Sequence, residues 1–239
     1  DGPHKGLGDN PGKSGSLFGQ DHPYYPDSCS SCPFAGGLKN RLGMRFSGKK
    51  KDCNNCQKLL NKLPNSTNEE RRMIARALFE EYSEDPEYVD VKLNDDLGCI
   101  TATHKDHNFD RRTGYTERAV RDIGFANGHS VIFGKEGSSV IGERFTEGLW
   151  DGLLFEVASR ETATDNNVLR GLYHCANKRT TEVAILYYPN GGYDEQTLNR
   201  ALNRYRGIKE DPNRTYVVFK RVICIGDGKI LYNQQFETW

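Results

Sequence analysis

Two Cys-x-x-Cys knuckles, Cys29-Ser30-Ser31-Cys32 and Cys53-Asn54-Asn55-Cys56, stand 20 residues apart near the start of the chain. A knuckle of this kind turns tightly enough to aim two thiolates at one ion, and two knuckles complete a tetrahedral shell. The expected ion is zinc, held by Cys29, Cys32, Cys53 and Cys56. Four protein ligands leave no open position, so its role would be structural. Lys49, Lys50 and Lys51 beside Cys53 favour the thiolate form. The alternative is a pair of disulfides, or unpaired thiols, in an exported protein. A segment this short has little core of its own, so metal binding would supply much of its folding free energy. Cys99, Cys175 and Cys224 instead sit among apolar neighbours and read as small core residues.

The knuckles divide the chain. Residues 1–28 are rich in Gly, Pro and Ser and read as a flexible linker. Residues 29–65 form the four-cysteine module, and 66–87 a connecting helix opened by Ser66 and Thr67 with Glu69 and Glu70 three residues on, a capping-box pattern. Residues 88–239 form the body. Formal net charge is zero, but residues 1–68 hold ten Lys/Arg against five Asp/Glu. A basic front on an acidic body permits local phosphate contacts, or simply solvates the surface. No run of about 18 apolar residues exists, so no membrane span is expected. The polar start without Met reads as a fragment of a longer protein or a processed product.

The body alternates short strands and helices. Strands are expected at 88–93, 130–133, 153–157 and 183–188, with a final hairpin of 216–225 and 229–232 joined across Gly226-Asp227-Gly228. Gly114 to Asn127 reads as a helix with Tyr115, Ala119, Ile123 and Ala126 on one face and Gly128 as its stop. Asp165 and Asp194 are expected to cap two further helices. The adjacent last strands favour an α+β fold with a mainly antiparallel sheet and packed helices. No Gly-rich phosphate loop is present, and no organic cofactor is expected.

The densest chemistry lies between Trp150 and Lys178. Glu156 stands inside an otherwise apolar strand, where a carboxylate is costly unless paired or used. On the next helix Asn167, Gly171, His174 and Lys178 are spaced to share one face. Glu156 and His174 would form an acid/base pair, with Arg160 and Lys178 as cations for a developing phosphate charge. The bland alternatives are a salt bridge and a solvated helix face. Upstream, 102–112 holds two His, two Asp and three cations and reads as an exposed loop. His107 there is a candidate for catalysis.

Asp151-Gly152-Leu153-Leu154-Phe155-Glu156-Val157, followed by Asn166-Asn167-Val168 and a basic helix, resembles the C-terminal nuclease domains of bacterial polymorphic toxins and phage head-associated proteins, many of the barnase/EndoU/colicin/RelE superfold. The resemblance covers residues 100–190 and implies a ribonuclease that needs no metal. Glu156, His174, His107, Arg160 and Asp151 would be catalytic, and Lys178, Thr162, Thr164 and Asn167 would bind substrate. It also implies RNA as substrate, a cognate immunity protein, and a larger phage or secretion assembly as parent. The chain would then act in the cytoplasm of a target cell. The family's Lys is replaced by Ala158, which leaves Arg160 to supply the cation. The pattern is also similar to metal-dependent DNases of the restriction-endonuclease class, in which Asp151 and Glu156 would hold a divalent ion. A third possibility is a non-enzymatic phage or secretion component.

Overall fold

The computed structural model describes residues 53–109, 114–135, 146–209 and 216–237. Cys29 and Cys32 lie outside the described residues. Of Cys53 and Cys56 only the backbone is described, as the start of helix α1 (Cys53–Lys62). The zinc expectation therefore falls outside them.

A turn of 3-10 helix (Leu63–Asn65) leads into α2 (Asn68–Glu84). The α2 start carries the reciprocal capping box of Thr67 and Glu70, which satisfies amides that a helix end leaves open. Its inward residues Ile74, Leu78 and Tyr82 recur every four positions. There follow β1 (Tyr88–Asn94), β2 (Cys99–His104), α3 (Gly114–Ala126), β3 (Val131–Phe133), β4 (Gly148–Trp150), β5 (Leu153–Ser159), α4 (Asp165–Ala176), β6 (Val183–Tyr188), α5 (Glu195–Arg206), β7 (Arg221–Gly226) and β8 (Lys229–Gln235).

All eight strands form one sheet in sequence order. It is mixed rather than mainly antiparallel. Pairings β2–β3, β5–β6 and β6–β7 are parallel, and the other four are antiparallel. The helix crossovers α3, α4 and α5 each return the chain to the same end of the sheet, which is what parallel neighbours require.

Strand alternation sorts the side chains onto two faces. On one, α1 and α2 pack over Ile100, Ala102, Ile132, Leu149 and Leu154, while α4 and α5 pack over Ala158, Ala184, Leu186, Val222 and Cys224. The expected connecting helix is thus part of the core. On the other face, α3 packs through Val120 over Val131, Phe133, Trp150, Phe155 and Val157. A Cβ at Gly124 would stand 2.6 Å from the Trp150 ring, so glycine lets helix and sheet approach this closely.

Several elements differ from the sequence reading. Residues 102–104 end a wholly buried strand and are not part of an exposed loop. Their polar groups disguised the strand, yet Thr103 is buried with its hydroxyl accepting from Arg121. On α3 the buried stripe is Glu117, Val120, Arg121 and Gly124, and Tyr115 is exposed. The expected face is only partly inward, since Ile123 packs against the same cluster whereas Tyr115 and Ala126 are exposed. Thr164, not Asp165, caps α4, whereas Asp194 caps α5 as expected. Residues 216–220 lie before β7 rather than in it.

Candidate active site

The sheet forks halfway along β5. Pairing of β4 with β5 stops at Gly148–Phe155, where β3 also ends. β5 runs on to Ser159, paired with β6 alone among the described residues. Chemistry collects on both sides of this fork.

Glu156 lies on the face shared by α2 and α4, between Leu154 and Ala158, at the seam between two apolar clusters. It is 1% exposed. His174 Nε2 lies 3.3 Å from its Oε1, and Lys178 Nζ lies 3.7 Å from its Oε2. His174 comes from the last turn of α4 and Lys178 from the turn just beyond it, where the helix dipole favours positive charge. The Cys175 thiol points at the Glu156 carbonyl, and Thr181 bonds the Cys175 carbonyl, so helix end and strand are tied together. His174 is half exposed, so Glu156 is reached from solvent through its imidazole. Burial first, and the nearby Glu156 charge second, push the Cys175 thiol well up, which removes it as a nucleophile.

On the opposite face, His107, Glu117 and Glu147 each offer a ligand atom, all within 4.8 Å of one another. Three elements supply them: the loop after β2, the first turn of α3, and the residue before β4. Glu147 donates its amide to the Phe155 carbonyl although Gly148 is the residue paired with Phe155. Two residues thus face one, as in a β-bulge. Such a bulge turns the Glu147 side chain to the side of Phe155 rather than that of Glu156.

The hydrogen bonds define the His107 tautomer. Nδ1 lies 2.9 Å from the Gly134 carbonyl, which can only accept, so Nδ1 carries the proton. In the neutral ring Nε2 then holds a lone pair, directed at Glu117 Oε2 3.4 Å away. That carboxylate oxygen is buried and, among the described residues, accepts no hydrogen bond. Two lone pairs facing each other in a buried place are favourable only with a proton or a cation between them. A backbone carbonyl on the second ring nitrogen is also the usual support of a metal-binding histidine. These residues fit a divalent ion with mixed nitrogen and oxygen ligands.

A similar trio, Glu87, His104 and Asp106, does not fit one. Lys105 pairs with Glu87 at 2.6 Å and Lys135 with Asp106 at 2.8 Å. His104 Nδ1 accepts the Asp106 amide, so its Nε2 bears the proton in the neutral ring. These groups neutralise one another.

The remaining expected residues lie elsewhere. Asp151 sits in the β4–β5 turn, and among the described residues no group of three possible metal ligands includes it or Glu156. The φ of Asp151 is 48° and that of Gly152 is 83°, as in a tight two-residue hairpin turn. The Asp151 carboxylate takes bonds from Arg71 at 2.8 Å, His129 at 2.7 Å, the Ser130 amide at 3.0 Å and Arg221 at 3.3 Å. Burial would raise its pKa, but the His129 hydrogen bond and charge, with Arg71, outweigh that and hold it at about 2. Arg160 turns to the first turn of α4, where it donates to the Asn167 carbonyl. Asn167 donates to Thr162, and Thr164 caps the helix, so this polar group secures the α4 start.

Glu117 and Glu147 escaped the sequence reading. Glu117 was detectable as a carboxylate three, four and seven residues before Val120, Arg121 and Gly124, the stripe that is buried. Nothing local marks Glu147.

No protein-family model matches the chain, and no curated protein matches it. Among solved structures, the chain is similar to the CdiA-CT/CdiI toxin and immunity complex from Burkholderia pseudomallei, at 13% identity over 54% of this chain and 89% of that one, with a TM-score of 0.37. At that score too little backbone superposes for an activity to pass from one to the other.

Proposed function

We propose that this chain is a divalent-metal-dependent nuclease, with the ion at His107, Glu117 and Glu147 and with Glu156, His174 and Lys178 on the far side of the fork. The observation that carries this reading is the buried encounter of His107 Nε2 with Glu117 Oε2, joined by a third carboxylate. Nucleic acid as substrate rests on the resemblance of the β4–β5 segment and α4 to delivered nucleases. A toxin-like role and a cognate inhibitor follow from the same resemblance. When bound, the ion supplies positive charge for a phosphate and lowers the pKa of water.

The chain's own groups divide the remaining work. Gly134 holds the His107 tautomer, and the bulge aims Glu147. Lys178 places positive charge beside Glu156, with the His174 imidazole next to it, where the expected lysine of the strand is replaced by Ala158. Ala158 packs in the core, so no cation could occupy that position without opening it.

A second reading has its own support. Glu156 and His174 meet at 3.3 Å, with the imidazole half exposed, as a metal-independent ribonuclease would need. The chain should be incubated with total RNA and with DNA, in EDTA and then in excess magnesium or manganese. Added zinc controls for loss of any ion from the four cysteines. Activity lost in EDTA, restored by manganese and absent in Glu117→Gln supports the first reading. Cleavage of RNA alone that survives EDTA and Glu117→Gln, but not His174→Gln, establishes the second.

A further inference from the structure

The face that carries His107, Glu117 and Glu147 also holds aromatic and cationic groups that the chemistry above does not use. Tyr115 is 53% exposed on the first turn of α3, two residues before the buried Glu117. Arg118, nearly one helical turn on, is also exposed, and its guanidinium lies 4.4 Å from the centre of the Phe109 ring. Phe109 in turn meets the His107 ring edge-on at 4.7 Å. Tyr187, half-buried opposite Ser159 on the part of β5 beyond the fork, packs against the apolar cluster on this same face. A tyrosine exposed by itself needs no explanation. This one stands on the same helical turn as a guanidinium stacked on Phe109 and a buried carboxylate, Glu117.

We propose that Tyr115 and Arg118 form a nucleotide subsite, in which Tyr115 stacks an unpaired base and Arg118 holds an adjacent phosphate. The substrate is then single-stranded or looped nucleic acid. The inference takes its ligand from the nuclease reading. Every base presents a flat face to an aromatic ring once it is unstacked, whereas a base inside a duplex shows only its edges. Arg118 is already held against Phe109, so it loses little further freedom when it takes a phosphate. Phe109 touches both Arg118 and His107, so the subsite and the acidic cluster share a wall.

The test is fluorescence anisotropy of a short labelled oligonucleotide, as single strand and as duplex, in RNA and DNA forms. Calcium is present to occupy the site without supporting turnover. Single strands should bind more tightly than duplex. Tyr115→Ala should weaken single-strand binding by about tenfold or more, with Tyr115→Phe close to the parent chain. Arg118→Ala should weaken binding of either form and lower its salt dependence by about one phosphate contact. Unchanged single-strand binding in Tyr115→Ala, preference for duplex, or no binding by the parent chain would each overturn the subsite. Manganese titration of the same proteins reports separately on the acidic cluster. Failure to take up metal, with the Tyr115 effect intact, removes the metal reading and leaves the subsite standing.

Discussion

Asp151 and Glu156 are both buried carboxylates, one just before β5 and the other in its middle, yet they are held in opposite ways. Four donors converge on Asp151, from α2, the start of β3 and β7, all within 3.3 Å. Glu156 has the His174 imidazole at 3.3 Å and the Lys178 ammonium at 3.7 Å, and among the described residues its Oε2 accepts no hydrogen bond. Glu117 Oε2, across the sheet, likewise accepts no hydrogen bond among the described residues. A carboxylate whose lone pairs are filled by the fold has no capacity left for a ligand, and its value is structural. One that the fold buries without filling costs stability and is kept where it acts. By this criterion the turn at Asp151 fastens the sheet, and the proposed site lies at the fork.

The largest effect should come at the fork. Glu117→Gln and Glu147→Gln should each lower nuclease activity by on the order of 10²- to 10³-fold while leaving thermal stability within about 1 kcal/mol of the parent. Loss of activity only in proportion to loss of folded protein would erase the distinction between the two ends. Asp151→Asn should do the reverse. It leaves Arg71, Arg221 and His129 around a neutral amide, at a cost of about 3 kcal/mol in urea unfolding. Activity per folded molecule should stay near that of the parent chain.

A smaller effect separates the ends by pH. The Asp151 carboxyl is held at about 2 in the folded chain, against about 3.9 when unfolded. A depressed pKa contributes stability that is complete above the unfolded value and is lost as pH falls through the folded one. Unfolding midpoints should therefore drop between about pH 4 and pH 2, and Asp151→Asn should flatten that drop. His174→Gln should lower activity about tenfold if the imidazole only supports Glu156, and by about 10³-fold if it is the general acid. The pH–rate profile then tells a supporting cation from a proton donor. Smallest of all, Thr67→Ala should cost about 1 kcal/mol through the α2 cap, with no change in activity.

Much of the fold was legible locally. The Thr67–Glu70 box, the Asp194 cap and the Val183–Tyr188 strand each depend on residues a few positions apart, and each stands where the sequence places it; the final hairpin turns at the expected Gly226-Asp227-Gly228, though its first strand starts five residues later than expected. So does the meeting of Glu156 with His174 and Lys178, because a strand and the helix that follows it are bound to pack together. Two strands were not legible. β4 is three residues long, and β2 carries threonines and a histidine whose polarity imitates a loop.

The sequence by itself determined the helix caps, the turns and the pairing of one inner carboxylate with the next helix, since these are contacts between near neighbours in the chain. Only the tertiary structure decided which carboxylates bind the fold and which remain open. The donors that fill Asp151 arrive from 21, 22, 70 and 80 residues away. The cluster of His107, Glu117 and Glu147 likewise joins three segments, and no local pattern announces Glu147. Hydrogen-bond capacity is exhausted or spared by whatever the fold brings near, and that depends on long-range packing.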